Sequence, residues 1–305
     1  MSRVRGIIYA VSSAVAFGFI PVFAKFAYSG GAGTATVAFL RFFLASLMLL
    51  GILLVRKVEL RFNKRQLARL VYISVIGYTA TCLTLFSSYK FIAIGLSTTL
   101  HFTYPVAVAI LSYFIFKERM DSIKIVSIVL SIGGVYILAG SKGSSIDIRG
   151  VILALISGLF YSIYTIEIGR EDIKAMDSML LTFYVSLFSS AAIFIYGAAV
   201  GDLSFRIKPY SILAIFGIAV VCTVFALLAY SSAVKIIGSS DTAILSTFEP
   251  VTGVILGILI FAERLNMVTA AGSTLIIVSV LLFSLSRKKL PEPKKPIEAS
   301  EECPS

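Results

Sequence analysis

Three ionisable residues interrupt long apolar runs: Arg41 in AFLRFFLAS, His101 in TTLHFTYP and Glu249 in STFEPVTG. An ionised carboxylate among aliphatics is costly unless it faces protein or water, which makes Glu249 a candidate to exchange a proton or hold a substrate ammonium. The plainer reading is that Glu249 accepts hydrogen bonds from a neighbouring helix. His101, the single histidine of the chain, suits a proton relay or a polar contact to substrate, and equally a backbone carbonyl. Arg41 keeps its charge in hydrocarbon and wants a planar partner. That partner could be a substrate carboxylate, a structural acid such as Glu249, or a lipid headgroup. Lys25 is a further candidate, with snorkelling to the interface as its alternative. Tyr78, Tyr104 and Tyr161 offer hydroxyls and rings to a cavity, although most aromatics in such a chain face lipid or neighbouring helices. Pro105 and Pro250 each remove a backbone donor and are hinge candidates.

What positions these residues follows from composition. Of the 305 residues, 58% are hydrophobic and 14% charged, and mean hydropathy is +0.96. That is more apolar surface than one soluble core hides. Ten runs of about 18 to 22 residues match the ~20 that a helix needs to cross the hydrocarbon layer. They lie near residues 7–27, 36–55, 70–89, 96–116, 123–139, 150–168, 178–199, 211–231, 241–261 and 268–285. Connections are short, which leaves no length for a soluble catalytic domain. With the N-terminus inside, cytoplasmic segments hold 19 of the 27 Lys and Arg and outer loops hold six, while Lys25 and Arg41 lie within runs. This asymmetry places both termini in the cytoplasm of a plasma (inner) membrane protein, and it accounts for the net charge of +11 without a nucleic-acid partner. Cys82, Cys222 and Cys303 show no paired spacing, so neither a disulfide framework nor a metal site is indicated. No phosphate-binding loop occurs and no cofactor is implied. The polar, proline-bearing tail at 287–305 reads as disordered.

The chain repeats itself. FTYPVAVAILSYFIFKERM at 102–120 is echoed by TFEPVTGVILGILIFAERL at 247–265, an offset of 145 residues that also pairs Lys90 with Lys235 and Pro105 with Pro250. Five runs per copy is an odd number, so the second copy enters the membrane inverted, as in many secondary transporters. The expected fold class is all-α, with ten transmembrane helices in a 5+5 inverted repeat around a central cavity. Its repeats would cover 5–140 and 148–286.

These stations resemble the EamA family of the drug/metabolite transporter superfamily, whose five-helix units each end in a Pro-containing helix, a Gly-Glu-Arg-like turn and a final helix. Tyr104-Pro105 with Lys117-Glu118-Arg119, and Glu249-Pro250 with Ala262-Glu263-Arg264, are similar to them, with Lys117 and Ala262 standing where glycine is usual. The resemblance implies a secondary transporter of small metabolites and no enzyme. Amino acids or related amphipathic compounds are the expected cargo, exported by alternating access, and proton exchange through Glu249 is the expected coupling. Drugs, or nucleotide-derived and phosphorylated metabolites, form the alternative. A scaffold or lipid scramblase is the competing class, while a membrane enzyme is disfavoured by the lack of clustered His or Asp. A monomer embedded in the bilayer is expected, with a dimer open.

Overall fold

A computed structural model describes residues 2–58, 63–116, 122–139, 146–168, 173, 176–246, 248–261 and 267–286. The Glu118-Arg119 and Glu263-Arg264 turns, the tail from 287 and the side chain of Pro250 lie outside the described residues. Every element described is a helix. In hydrocarbon each N–H and C=O must be satisfied within its own segment, and a helix does so. In chain order they are α1 (Ser2–Gly18), α2 (Ile20–Ser29), α3 (Thr34–Val55), α4 (Lys64–Tyr72), α5 (Ala80–Ser88), α6 (Ile94–His101), α7 (Tyr104–Phe116), α8 (Ser122–Ala139), α9 (Ile148–Ile168), α10 (Ser178–Val200), α11 (Pro209–Gly217), α12 (Ala226–Leu245), α13 (Phe248–Phe261) and α14 (Met267–Ser286).

Two wider turns join consecutive helices. Ile73–Thr79 links α4 to α5 and Ile218–Phe225 links α11 to α12, both as π-helix with i→i+5 hydrogen bonding, and their starts are 145 residues apart. Among the described residues six helices are long and apolar enough to cross a membrane: Arg3–Ser29, Thr34–Val55, Lys64–Ser88, Ile148–Ile168, Ser178–Val200 and Pro209–Ala233. Shorter apolar stretches occur at Ile125–Ile137, Val251–Phe261 and Ala270–Ser279.

Several expected spans are therefore not single helices. The run at 96–116 divides into α6 and α7 around Phe102 and Thr103. Pro105 is the cause: it has no N–H, and its ring excludes the carbonyl of His101 four residues back. The chain tightens there, with Thr103 N–H donating to Leu100 O at 3.2 Å. A similar interruption at Phe19 precedes Pro21. The ninth run is displaced rather than kinked at Pro250. Residues 232–240, expected as a connection, continue α12 as far as Leu245, and α13 starts at Phe248. That stretch contains no proline, and its glycine and serines are carried by the turns on either side.

Packing is chiefly between helices before residue 140 and helices after 148. α8 lies on α14, α1 on α12, α3 on α10, α5 on α9 and α6 on α13. Small side chains let these backbones approach, among them buried Ala10, Ala14, Ala38, Ala45, Ala154, Ser186 and Ser189. Hydroxyls stitch the contacts: Ser13 Oγ donates to Ala226 O at 2.7 Å and Ser279 Oγ to Ser127 O at 2.6 Å. Large apolar side chains such as Val55, Tyr136, Leu213 and Leu259 point outward, as a lipid-facing surface requires.

Gly158 shows how tight the interior is. A Cβ there would lie 2.9 Å from the carbonyl of His101, the oxygen that Pro105 cannot pair. Because that obstacle is backbone, Gly158→Val should destabilise the fold by about 1–3 kcal/mol. A thermal midpoint equal to wild type in a detergent melt would show that α6 and α9 can separate freely.

Candidate functional site

The two π-helical stretches and the broken helix ends converge on one interior point. In a π turn, the backbone carries an extra residue and turns side chains inward that a regular helix would place elsewhere. Tyr78 comes from the first such stretch and Cys222 and Thr223 from the second. Between them stands Arg41 of α3.

Arg41 is buried. Its Nε–H donates to Thr223 Oγ1 at 2.7 Å, and Nη2 makes long contacts of 3.5 Å with Tyr78 OH and Cys222 O. Thr223 can accept because its own proton goes to Ile218 O at 3.1 Å. The rings of Phe42 and Phe86 flank the guanidinium, with its carbon 4.9 and 5.7 Å from their centroids. A guanidinium has five N–H donors. Those on Nη1 have no oxygen or nitrogen acceptor among the described residues; the Cys82 thiol beside it is a weak acceptor.

Arg41 borders a cavity of about 40 Å³, lined also by Phe17, Ile20, Tyr78, Thr81, Cys82, Leu85, Phe86, His101, Tyr161 and Glu249. A volume of that size holds one to three waters. Glu249 enters it from the first turn of α13, just after the helix break, where the free N–H groups of a half-helix favour negative charge. Its backbone is held by α1, since a Cβ on Gly18 would lie 3.1 Å from Glu249 O. Among the described residues Arg41 and Glu249 make no ion pair within 4.0 Å, although both border the same small void.

His101 is the last residue of α6. Its Nδ1 lies 2.8 Å from Ser157 Oγ of α9, and its ring packs 5.4 Å from Tyr161 and 5.9 Å from Tyr104. Tyr161 also meets Tyr104 edge-on at 4.7 Å and Tyr78 at 6.3 Å.

Of the residues singled out in the sequence, Arg41, His101, Glu249, Tyr78 and Tyr161 border the cavity. Tyr104 stands behind Tyr161. Lys25 lies apart, its ammonium 4.6 Å from the Phe261 ring centroid. Pro105 is buried in the first turn of α7 and acts through the break before it. Sequence reading passed over Thr223, Ser157 and Cys82. A signal existed for Thr223: it falls 145 residues after Tyr78, at the repeat offset.

The EamA-like transporter family profile matches residues 4–140 and again 148–285. An uncharacterized transporter from Clostridium kluyveri is 27% identical over 210 residues, 67% of this chain and 66% of that protein, so the chain spans just under two thirds of that relative's length. An uncharacterized transporter from Archaeoglobus fulgidus is 26% identical over 272 residues, covering 89% of this chain and 93% of the relative. One crystal structure superposes with a TM-score of 0.68 over 94% of this chain and 100% of that one, at 14% identity, a likeness of fold alone. Its apolar helices make the protein a multi-pass membrane protein, and its relatives point to a transporter rather than an enzyme. With both segments matched, the chain belongs to the EamA-like transporter family.

Proposed function

We propose that the protein is a secondary transporter that exports small zwitterionic metabolites, amino acids and related amphipathic compounds, by alternating access. One observation carries this reading. Among the described residues, a buried arginine whose Nη1 donors meet no oxygen or nitrogen and a carboxylate with no ion pair border one cavity, and each is costly in hydrocarbon unless something complementary arrives. A zwitterion supplies both complements at once. Phosphorylated cargo fits less well, because a single guanidinium beside a carboxylate would hold a dianion poorly.

The void of about 40 Å³ is too small for such a substrate, so the helices around it must part for loading. The cross-packing of the two matched segments supports a ten-span, oppositely oriented pair of halves that open in turn to either side. In this arrangement both termini are cytoplasmic in the inner membrane, and one chain supplies both halves, so a monomer suffices. Glu249 is the proposed proton-coupling group, since among the described residues it is the one carboxylate that borders the cavity.

Purified protein in proteoliposomes should exchange labelled L-phenylalanine or L-leucine well above empty vesicles, and should move the corresponding amine or acid alone more slowly. Indifference to a broad panel of amino acids, amines and acids would favour a scaffold.

A further inference from the structure

His101 has a partner that decides its chemistry. Ser157 Oγ lies 2.6 Å from Ala154 O and 2.8 Å from His101 Nδ1, all buried. A carbonyl cannot donate, so the first contact requires the serine proton. Having only one, Ser157 must accept from His101, which places the imidazole proton on Nδ1. The other nitrogen, Nε2, then carries a lone pair. The ring borders the cavity and is wedged between Tyr104 and Tyr161, so this acceptor is held rather than free to rotate.

Two acceptors of different chemistry, the Glu249 carboxylate and the His101 imidazole, therefore border the cavity. A carboxylate attracts any positive charge, with or without a hydrogen to donate. A neutral imidazole nitrogen attracts only a group that brings an N–H or O–H. We propose that His101 is a specificity-determining residue that, with its tautomer set by Ser157, admits substrates bearing a protonated primary amine and discriminates against quaternary ammonium analogues. This rests on the reading of the cavity as the substrate site, and it assigns the cationic end of the substrate to His101 and Glu249 and the carboxylate end to Arg41. A quaternary compound satisfies Glu249 by charge, leaves Nε2 without a donor, and so loses one hydrogen bond of the charge-assisted kind, worth roughly tenfold or more in affinity.

The chain has one histidine, so nitrogen-labelled histidine gives a single imidazole by NMR in the full-length protein in lipid nanodiscs. The expected spectrum has Nδ1 protonated and Nε2 unprotonated. Saturating L-phenylalanine should shift Nε2, and its N,N,N-trimethyl betaine should not. In proteoliposomes the wild type should prefer L-phenylalanine to the betaine by roughly tenfold in competition, and His101→Phe should bring that ratio near one without abolishing flux. Ser157→Ala is the second variant: it should leave both tautomers present and give an intermediate ratio. A proton on Nε2 in the resting protein overturns the proposal whatever the flux. So does an Nε2 signal unmoved by a transported amino acid, and in that case the carrier reading stands. If no amino acid either binds or moves, the carrier reading for this cargo class falls, and the assignment of His101 with it.

Discussion

Arg41→Met should lower amino-acid flux by ten- to a hundredfold and leave the thermal midpoint of the protein unchanged or raised. The first expectation is the loss of charge-assisted hydrogen bonds to a substrate carboxylate, about 1.5–3 kcal/mol. The second comes from what the arginine lacks. A buried cation with no carboxylate within ion-pair distance keeps part of its desolvation cost, and an apolar residue of similar size removes that cost. Thr223 Oγ1 keeps its bond to Ile218 O, and the Tyr78 hydroxyl, which loses a long contact of 3.5 Å, borders the cavity where water can reach it. Initial rates in vesicles and a detergent melt test both halves together. A lower midpoint with flux reduced equally for zwitterions, amines and acids would make Arg41 a strut between α3 and the second π stretch.

Glu249→Gln should separate exchange from uphill transport. Glutamine preserves size and accepts hydrogen bonds but cannot take up a proton. One pH unit across a membrane is worth ~1.4 kcal/mol per proton, hence about tenfold accumulation in a one-proton exchanger. The variant should accumulate nothing under that gradient while still swapping labelled for unlabelled substrate. An undiminished response of net uptake to the pH gradient would remove Glu249 from the coupling step. Loss of swapping as well would show that holding the substrate ammonium, and not the coupling step alone, requires the charge of Glu249.

How much of this was legible beforehand depended on residue type. A charge within an apolar run stands out, and so Arg41, His101 and Glu249 were visible in the sequence. Their convergence was not, because it is produced by helix contacts between positions 60 to 208 residues apart. The residues that orient them, Thr223 and Ser157, are small hydroxyls, which occur throughout membrane helices as packing residues. Helix breaks were foreseen at the prolines, but Pro105 acts upstream of itself, and the α12–α13 junction lies several residues beyond the expected connection. Lys25, marked by a charge near the end of a run, lies away from the cavity with its ammonium over the Phe261 ring. The π stretches had no distinct sequence signature, since their β-branched and aromatic residues recur throughout the other helices.

Those two stretches bear on how the protein could move. Each is a stored surplus of one residue, and expelling it would let the backbone regain regular winding while turning everything beyond it by about 100°. Placed at matching heights in two corresponding helices and joined through Arg41, they are two slack links on opposite sides of one clasp. Tightening one while the other stays loose would reorient Tyr78 relative to Thr223, and a chain shortened by one residue at either link should remain folded yet be frozen on one side of its cycle.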